Sequence, residues 1–266
     1  MLRAPVQVGP GTRVLVTGAS RGIGAAITRA FAARGCTIGL VARTREPLDA
    51  LASELSGSRH VVLESDVSNA ESIAKAVAEF GDVDVLVANA GLTHYMPFAE
   101  LPADKAEEMN AVNWVGTLNT VRAALPRMIE RGRGHLVIIS SGGGLRGFPG
   151  AAVYNGTKAA QRGFAEALRH ELDGTGVSVT TVFPGEIETS LHDHEWERMP
   201  EWYQRDRRSP PGPLGERVVV AVEEDRRELF HPPIVRLLRI ANGISPRLGD
   251  FMLRRILGPA AAPRRG

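Results

Sequence analysis

A short β-branched run, RVLVT at residues 13–17, leads directly into a glycine-rich turn, GASRGIG at 18–24. An alanine-rich helical pattern, AAITRAFAAR at 25–34, follows and stops at Gly35. Strand, glycine turn and helix in this order form the opening of a βαβ unit that binds a nucleotide. Glycine lets the backbone approach a pyrophosphate, and the helix N-terminus favours its negative charge. The spacing is Gly-x-x-x-Gly-x-Gly rather than the Gly-x-Gly-x-x-Gly fingerprint. Glycines permit any tight turn, so it is the strand before and the helix after that favour a cofactor cradle.

The rest of the chain keeps the same alternation. Apolar runs at 37–42, 60–64, 83–88, 134–140 and 177–183 read as strands. Helical patterns cover 47–55, a stretch capped by Ser68 or Asn69 and running to Phe80, 104–130, 151–172 and 216–224, before an edge strand at 228–231. Strands alternating with helices imply a single-domain α/β fold. The expected architecture is a Rossmann-like, doubly wound parallel sheet with helices on both faces. Within the pattern 104–130, Asn113 needs a partner or solvent, because asparagine is unfavourable in a helix interior. Pro126 marks a bend near the last turns.

Composition removes several function classes. At 43% hydrophobic, 266 residues can bury a substantial core. The near balance of 32 basic and 30 acidic residues argues against a nucleic-acid partner. The single cysteine, Cys36, forbids an internal disulfide; it is expected to be buried and inert, and fits a reducing, cytoplasmic setting. The first residues have no apolar core for a secretory signal, and no run approaches about 18 apolar residues, so no spanning helix is expected.

Two groups of residues carry chemistry. The second strand ends Ala42-Arg43-Thr44-Arg45, with no acid to hold a ribose 2′-hydroxyl. A guanidinium binds a 2′-phosphate through parallel hydrogen bonds, so Arg43, helped by Arg21, points to NADP(H). Arg45 reads as a solvated surface residue. Asp66 and Asn89 lie just past the carboxyl ends of strands, where open α/β sheets bind ligands, although either suits an ordinary turn. The second group is Ser141, Tyr154 and Lys158. Tyr154 and Lys158 are four apart, on one face of a helix. A phenol near an ammonium should lose its proton below its usual value of about 10, giving an acid/base for neutral pH. Ser141, at the end of an apolar strand, can reach the same point.

Together these motifs resemble the short-chain dehydrogenase/reductase family. The matching residues are residues 17–24 (TGASRGIG), Asp66, Asn89-Ala90-Gly91, Asn113, Ser141, Tyr154, Lys158, and Pro184-Gly185 with Thr189, in the family's order. The resemblance spans about residues 12–231. It implies that Tyr154 gives or takes the proton at the substrate oxygen. Lys158 would lower the phenol's pKa and hold the nicotinamide ribose, while Ser141 would hydrogen-bond the carbonyl. Asn113 would hold a water in a proton relay to Lys158. Serine thirteen residues before the tyrosine selects Ser141 over Ser140. The implied cofactor contacts are Gly18, Ser20, Arg21, Gly22, Ile23 and Gly24 in the turn, Arg43 and Thr44 after the second strand, and Asp66 and Val67 at the adenine. Asn89, Ala90 and Gly91 would brace the ribose region; Pro184, Gly185, Ile187 and Thr189 would sit at the carboxamide. The resemblance also implies a homo-dimer or homo-tetramer and a small carbonyl or alcohol substrate. Asn155-Gly156-Thr157 departs from the family's commoner small pair before the lysine.

A polar and aromatic segment, about 189–213, reads as the substrate flap, where Trp196, Met199, Trp202 and Tyr203 either line an apolar pocket or pack the flap down. His192-Asp193-His194-Glu195 resembles a metal cluster, but its consecutive spacing reads as a solvated loop and no metal is expected. An apolar C-terminal helical extension covers about 233–258. One helix at 234–241 stops at Asn242-Gly243, and a second begins at Ser245-Pro246 with Leu248, Phe251, Met252 and Ile256 on one face. Packing within the protein is the expectation. Peripheral membrane contact, a subunit interface and a cover over an apolar substrate are the alternatives.

Overall fold

In the computed structural model, residues 6–57, 60–189 and 208–257 are described. They form a seven-stranded, wholly parallel sheet in the order β3-β2-β1-β4-β5-β6-β7. The strands are β1 Arg13–Thr17, β2 Thr37–Ala42, β3 Val61–Glu64, β4 Val85–Ala88, β5 Gly134–Ile139, β6 Val177–Pro184 and β7 Glu228–His231. Parallel strands covered on both faces read as continuous apolar runs, which is why GHLVII in β5 is buried at every position.

Alternate residues along each strand feed two cores. Val14, Val16, Val85, Val87, Val137 and Ile139 meet helices α1 (Gly22–Ala32), α2 (Arg45–Glu54) and α7 (Pro211–Glu223). Leu15, Leu86, Leu136 and Ile138 meet α3 (Ala70–Phe80), α5 (Gly116–Glu130) and α6 (Ala152–Glu171) on the opposite face. The chain reverses its direction across the sheet between β1 and β4, so a crevice opens at their carboxyl ends.

Three boundaries differ from expectation. The long pattern 104–130 divides into α4 (Ala103–Met109), a π-turn at Asn110–Val115, and α5, which continues through Pro126. Helix α7 begins at Pro211, because prolines in a first turn lose no hydrogen bond there. The helix α8 (Ile234–Ile244) runs past Asn242-Gly243. A mid-helix glycine costs only about 1 kcal/mol, and Asn242 is held by a hydrogen bond from Nδ2 to the Leu145 carbonyl at 3.3 Å. Asn69 caps α3, its Oδ1 accepting from the Ser72 amide at 3.0 Å.

The extension is α8 followed by α9 (Pro246–Leu257), packed against each other beside β7. Their shared apolar face is not the one expected. Leu248 and Phe251 are exposed, while Leu253 turns towards the body. On α8, Ile234, Leu237, Ile240 and Ile244 form an exposed stripe. Among the described residues no helix is long and apolar enough to cross a membrane. Cys36 is buried, and burial pushes its thiol up to about 11. Most of the flap, including the 192–195 cluster and its four large side chains, lies outside the described residues.

Candidate active site

The crevice is a cleft of about 860 Å³. Every expected cofactor contact lines it, as do Ser141, Tyr154 and Lys158; Asn113 stands behind its wall. Gly18 adopts φ +64°, and a β-carbon there would lie 2.9 Å from Ala90 Cα. On Gly24 it would lie 2.0 Å from the Gly18 carbonyl oxygen, so only glycine fits. Asn89 clamps this turn to β4: its Nδ2 donates to the carbonyls of Thr17 at 2.9 Å and Gly18 at 3.1 Å. Thr17 Oγ1 in turn accepts from the amides of Asn89 and Ala90. Asp66 Oδ1 accepts from the Ser68 amide at 2.9 Å and hydroxyl at 2.7 Å, shaping the turn after β3. Asn119 Nδ2 on α5 holds that turn through the Val67 carbonyl at 3.0 Å.

Arg21 and Arg43 are exposed on the cleft wall, and neither forms an ion pair among the described residues. Arg45 instead pairs with Asp49 at 3.3 Å and does not line the cleft.

At the far end, Ser141 leaves β5 in extended backbone. Its Oγ accepts from the Gly143 amide at 3.1 Å and its hydroxyl hydrogen-bonds the Tyr154 phenol. The neighbouring Ser140 donates to the Lys158 carbonyl at 2.8 Å and is thereby taken up in the wall. Helix α6 buries Tyr154 and Lys158 side by side, with Lys158 Nζ 5.7 Å from the phenol ring centroid and donating to the Ile139 carbonyl at 2.9 Å.

Burial pushes the Lys158 ammonium down to about 7. The expected fall in the Tyr154 pKa does not occur in the chain alone. Burial raises the phenol above its ordinary value, and the Ser141 hydrogen bond opposes this only in part.

Asn113 is fully buried and fully partnered. Its Oδ1 accepts from the Leu92 amide at 2.8 Å, and its Nδ2 donates to the Leu92 carbonyl at 2.8 Å and Thr157 Oγ1 at 3.2 Å. The π-turn opens the local helix ladder, and the Asn113 carbonyl accepts from Thr117 Oγ1 at 2.7 Å and Gln161 Nε2 at 2.8 Å. A β-carbon on Gly91 would lie 3.2 Å from Asn113 Oδ1 and 3.6 Å from Lys158 Nζ. The missing side chain therefore leaves a small space between the amide and the amine.

Beyond Tyr154 the cleft continues between Leu92, Tyr95, Phe148, Val235, Leu238 and Leu253. The rings of Tyr95 and Phe148 stack with centroids 6.4 Å apart. Asn155, noticed in the sequence only as a departure, donates from Nδ2 to the Phe148 carbonyl at 2.9 Å and steadies that wall. None of these residues belongs to a motif; they meet only through the fold. A mid-helix buried asparagine and the aromatic residues flanking glycine-rich loops were the faint available signals.

Residues 12–200 match the family model described as short chain dehydrogenase. A glycine betaine reductase of Emericella nidulans is 40% identical over 71% of this chain, which spans only 15% of that protein's length. Among solved structures, a serine dehydrogenase in complex with NADP+ is 31% identical, with a TM-score of 0.77, covering 84% of this chain and 95% of its own. A 3-oxoacyl-[acyl-carrier protein] reductase with bound NAD from Brucella melitensis is 29% identical, with a TM-score of 0.74, covering 84% and 90%.

Proposed function

The chain belongs to the short-chain dehydrogenase family of oxidoreductases, and on that footing we propose an NADP(H)-dependent enzyme that interconverts a lipophilic ketone or aldehyde and its alcohol. The observation that carries this reading is the convergence of Ser141, Tyr154 and Lys158 at the inner end of a glycine-built cradle.

The residues fit such a cofactor. A β-carbon would fill the cradle at Gly18 and Gly24, and Arg21 and Arg43 on the cleft wall, unpaired among the described residues, suit a 2′-phosphate. Arg43 and Arg21 would hold that phosphate through charge-assisted hydrogen bonds, and the similar serine dehydrogenase is complexed with NADP+. The NAD-bound relative leaves the choice to these side chains. Asp66 and Val67 would flank the adenine. Thr44 and the Asn89-Ala90-Gly91 turn line the middle. Lys158 would reach the nicotinamide ribose, and Pro184, Gly185, Ile187 and Thr189 would border the carboxamide. When bound, the nicotinamide supplies or takes up the hydride.

The remaining chemistry belongs to the chain. The Gly143 amide occupies one lone pair of Ser141 Oγ, leaving its single hydroxyl proton to be donated to a substrate oxygen. Tyr154, kept neutral by burial, donates its proton to a carbonyl oxygen in the reducing direction. Lys158, when protonated, stabilises the phenolate left behind. Asn113 fixes the Leu92 peptide and, across the space at Gly91, can share a single water with Lys158. The apolar far wall excludes water and suits a lipophilic carbonyl.

The test is NADPH and NADH oxidation over a carbonyl panel that includes a 3-oxoacyl thioester, the substrate class that the Brucella relative's name brings in. Cofactor binding without turnover on any member would replace the enzyme by a dinucleotide sensor. The exposed stripe on α8 is the surface on which a homo-dimer or tetramer would close.

A further inference from the structure

We propose that α9 is the roof of the substrate chamber, that Leu253 sets which carbonyl compounds fit, and that Asp250 and Asn242 are the positioning residues that fasten this roof to the catalytic loop. The inference deepens the carbonyl-reductase reading and rests on it.

Four observations converge. Leu253 lines the cleft and packs against the cluster of Tyr95, Met109, Ala151 and Tyr154. The loop that starts with Ser141 also carries Leu145 and Arg146, and both are gripped by the extension. Asp250 on α9 forms an ion pair with Arg146, and Asn242 Nδ2 on α8 donates to the Leu145 carbonyl at 3.3 Å. The two helices sit close because residue 249 is glycine. A β-carbon there would lie 2.7 Å from Asn242 Oδ1 and 3.0 Å from Asn242 Cβ. Finally, Leu248 and Phe251 on the outer side of α9 are exposed among the described residues. The roof is thus held by its packing on α8 and by the ion pair to the loop that also places Ser141.

Besides Ser141, Tyr154 and Lys158, the polar side chains lining this end of the cleft are Ser140, Arg146, Glu186, Thr189 and Arg255, and the rest are aliphatic or aromatic. An aliphatic roof discriminates by size. One methylene too many or too few in an apolar pocket changes selectivity by about tenfold or more. The compounds that fit are therefore lipophilic ketones whose apolar body reaches Leu253 when the carbonyl lies at Tyr154.

The experiment uses the full chain loaded with NADPH and measures both turnover and calorimetric Kd for a compact methyl ketone, a long straight-chain methyl ketone and a bulky cyclic ketone. Leu253→Ala should shift the bulky-to-compact preference about tenfold towards the bulky ketone, and Leu253→Phe should shift it the opposite way, both with unchanged NADPH affinity. Asp250→Asn should raise KM several-fold with kcat retained and speed amide hydrogen exchange at Leu145 and Arg146; Asp250→Glu should restore both. Unmoved preferences in both Leu253 variants, or a kcat loss without a KM change in Asp250→Asn, overturn the roof. If ketones bind but never turn over, the reaction reading falls, and the Kd shifts alone decide the roof. If no ketone binds the wild-type chain, both fall.

Discussion

The two halves of the cleft are built from different material. The cradle half consists mostly of main chain at the ends of β1, β2 and β4, with glycines where a β-carbon would collide with neighbouring backbone. The substrate half consists of side chains from two loops, Leu92 and Tyr95 after β4 and Arg146 and Phe148 after β5, and from two helices that follow the last strand. Backbone geometry at a parallel sheet's edge is set by hydrogen-bonded register and tolerates little change. A wall of apolar side chains can be resized one residue at a time. One scaffold can therefore keep a fixed cofactor grip while its substrate wall is altered.

The largest test of this contrast sits where the halves meet. Tyr154→Phe should lower turnover by about a thousandfold while NADPH affinity stays within a few-fold, as steady-state assays and calorimetry would read; activity near wild type removes the phenol from the chemistry. Arg43→Asp should act on the cradle side only. Loss of a charge-assisted pair corresponds to about 2 kcal/mol, so NADPH affinity should fall some thirtyfold while NADH changes little.

Lys158 links the halves and gives a pH signature. Its ammonium is held at about 7 in the folded chain against an ordinary 10.5. Between those values the unfolded chain carries a proton that the folded chain lacks, so this group makes stability rise with pH across that window. Below about 7 both states are protonated and the full cost of burying the charge is present. Urea unfolding of the cofactor-free chain at pH 7 and pH 9 should show a rise of a few kcal/mol from this group. Lys158→Met should abolish that dependence.

On the substrate side, Asn155→Ala removes the hydrogen bond to the Phe148 carbonyl and should raise KM several-fold, with NADPH affinity intact. An equal loss of cofactor affinity would show that the halves are not separable. The smallest effect belongs to Gly156, which is exposed on α6 with open space where a β-carbon would go. Gly156→Ala should stabilise the chain by about 1 kcal/mol and leave kinetics alone, as thermal unfolding would show.

The cradle was legible in the sequence because its parts are contiguous. Residues 18–24 carry the turn, Asn89-Ala90-Gly91 its brace, and Tyr154 and Lys158 their helical spacing. Asn113 was noticed because a polar residue amid a helical pattern demands a partner; that its carbonyl would be freed by a π-turn and taken by Gln161 was not legible. Nor was the direction of the Tyr154 shift. Spacing on a helix says that two groups are neighbours, but not how much water both have lost.

By itself, then, the chain's order of strands, glycines and helices determined the parallel sheet, the position of the crevice and the identity of the residues around it. These follow from local geometry, from hydrophobic period and from the few residues that a tight turn admits. Only the tertiary structure decided the balance of charge at Tyr154 and Lys158, the inward turn of Leu253, and the fastening of α9 to Arg146. Desolvation and contacts between distant segments depend on where the whole chain places its surface, and no local pattern records that.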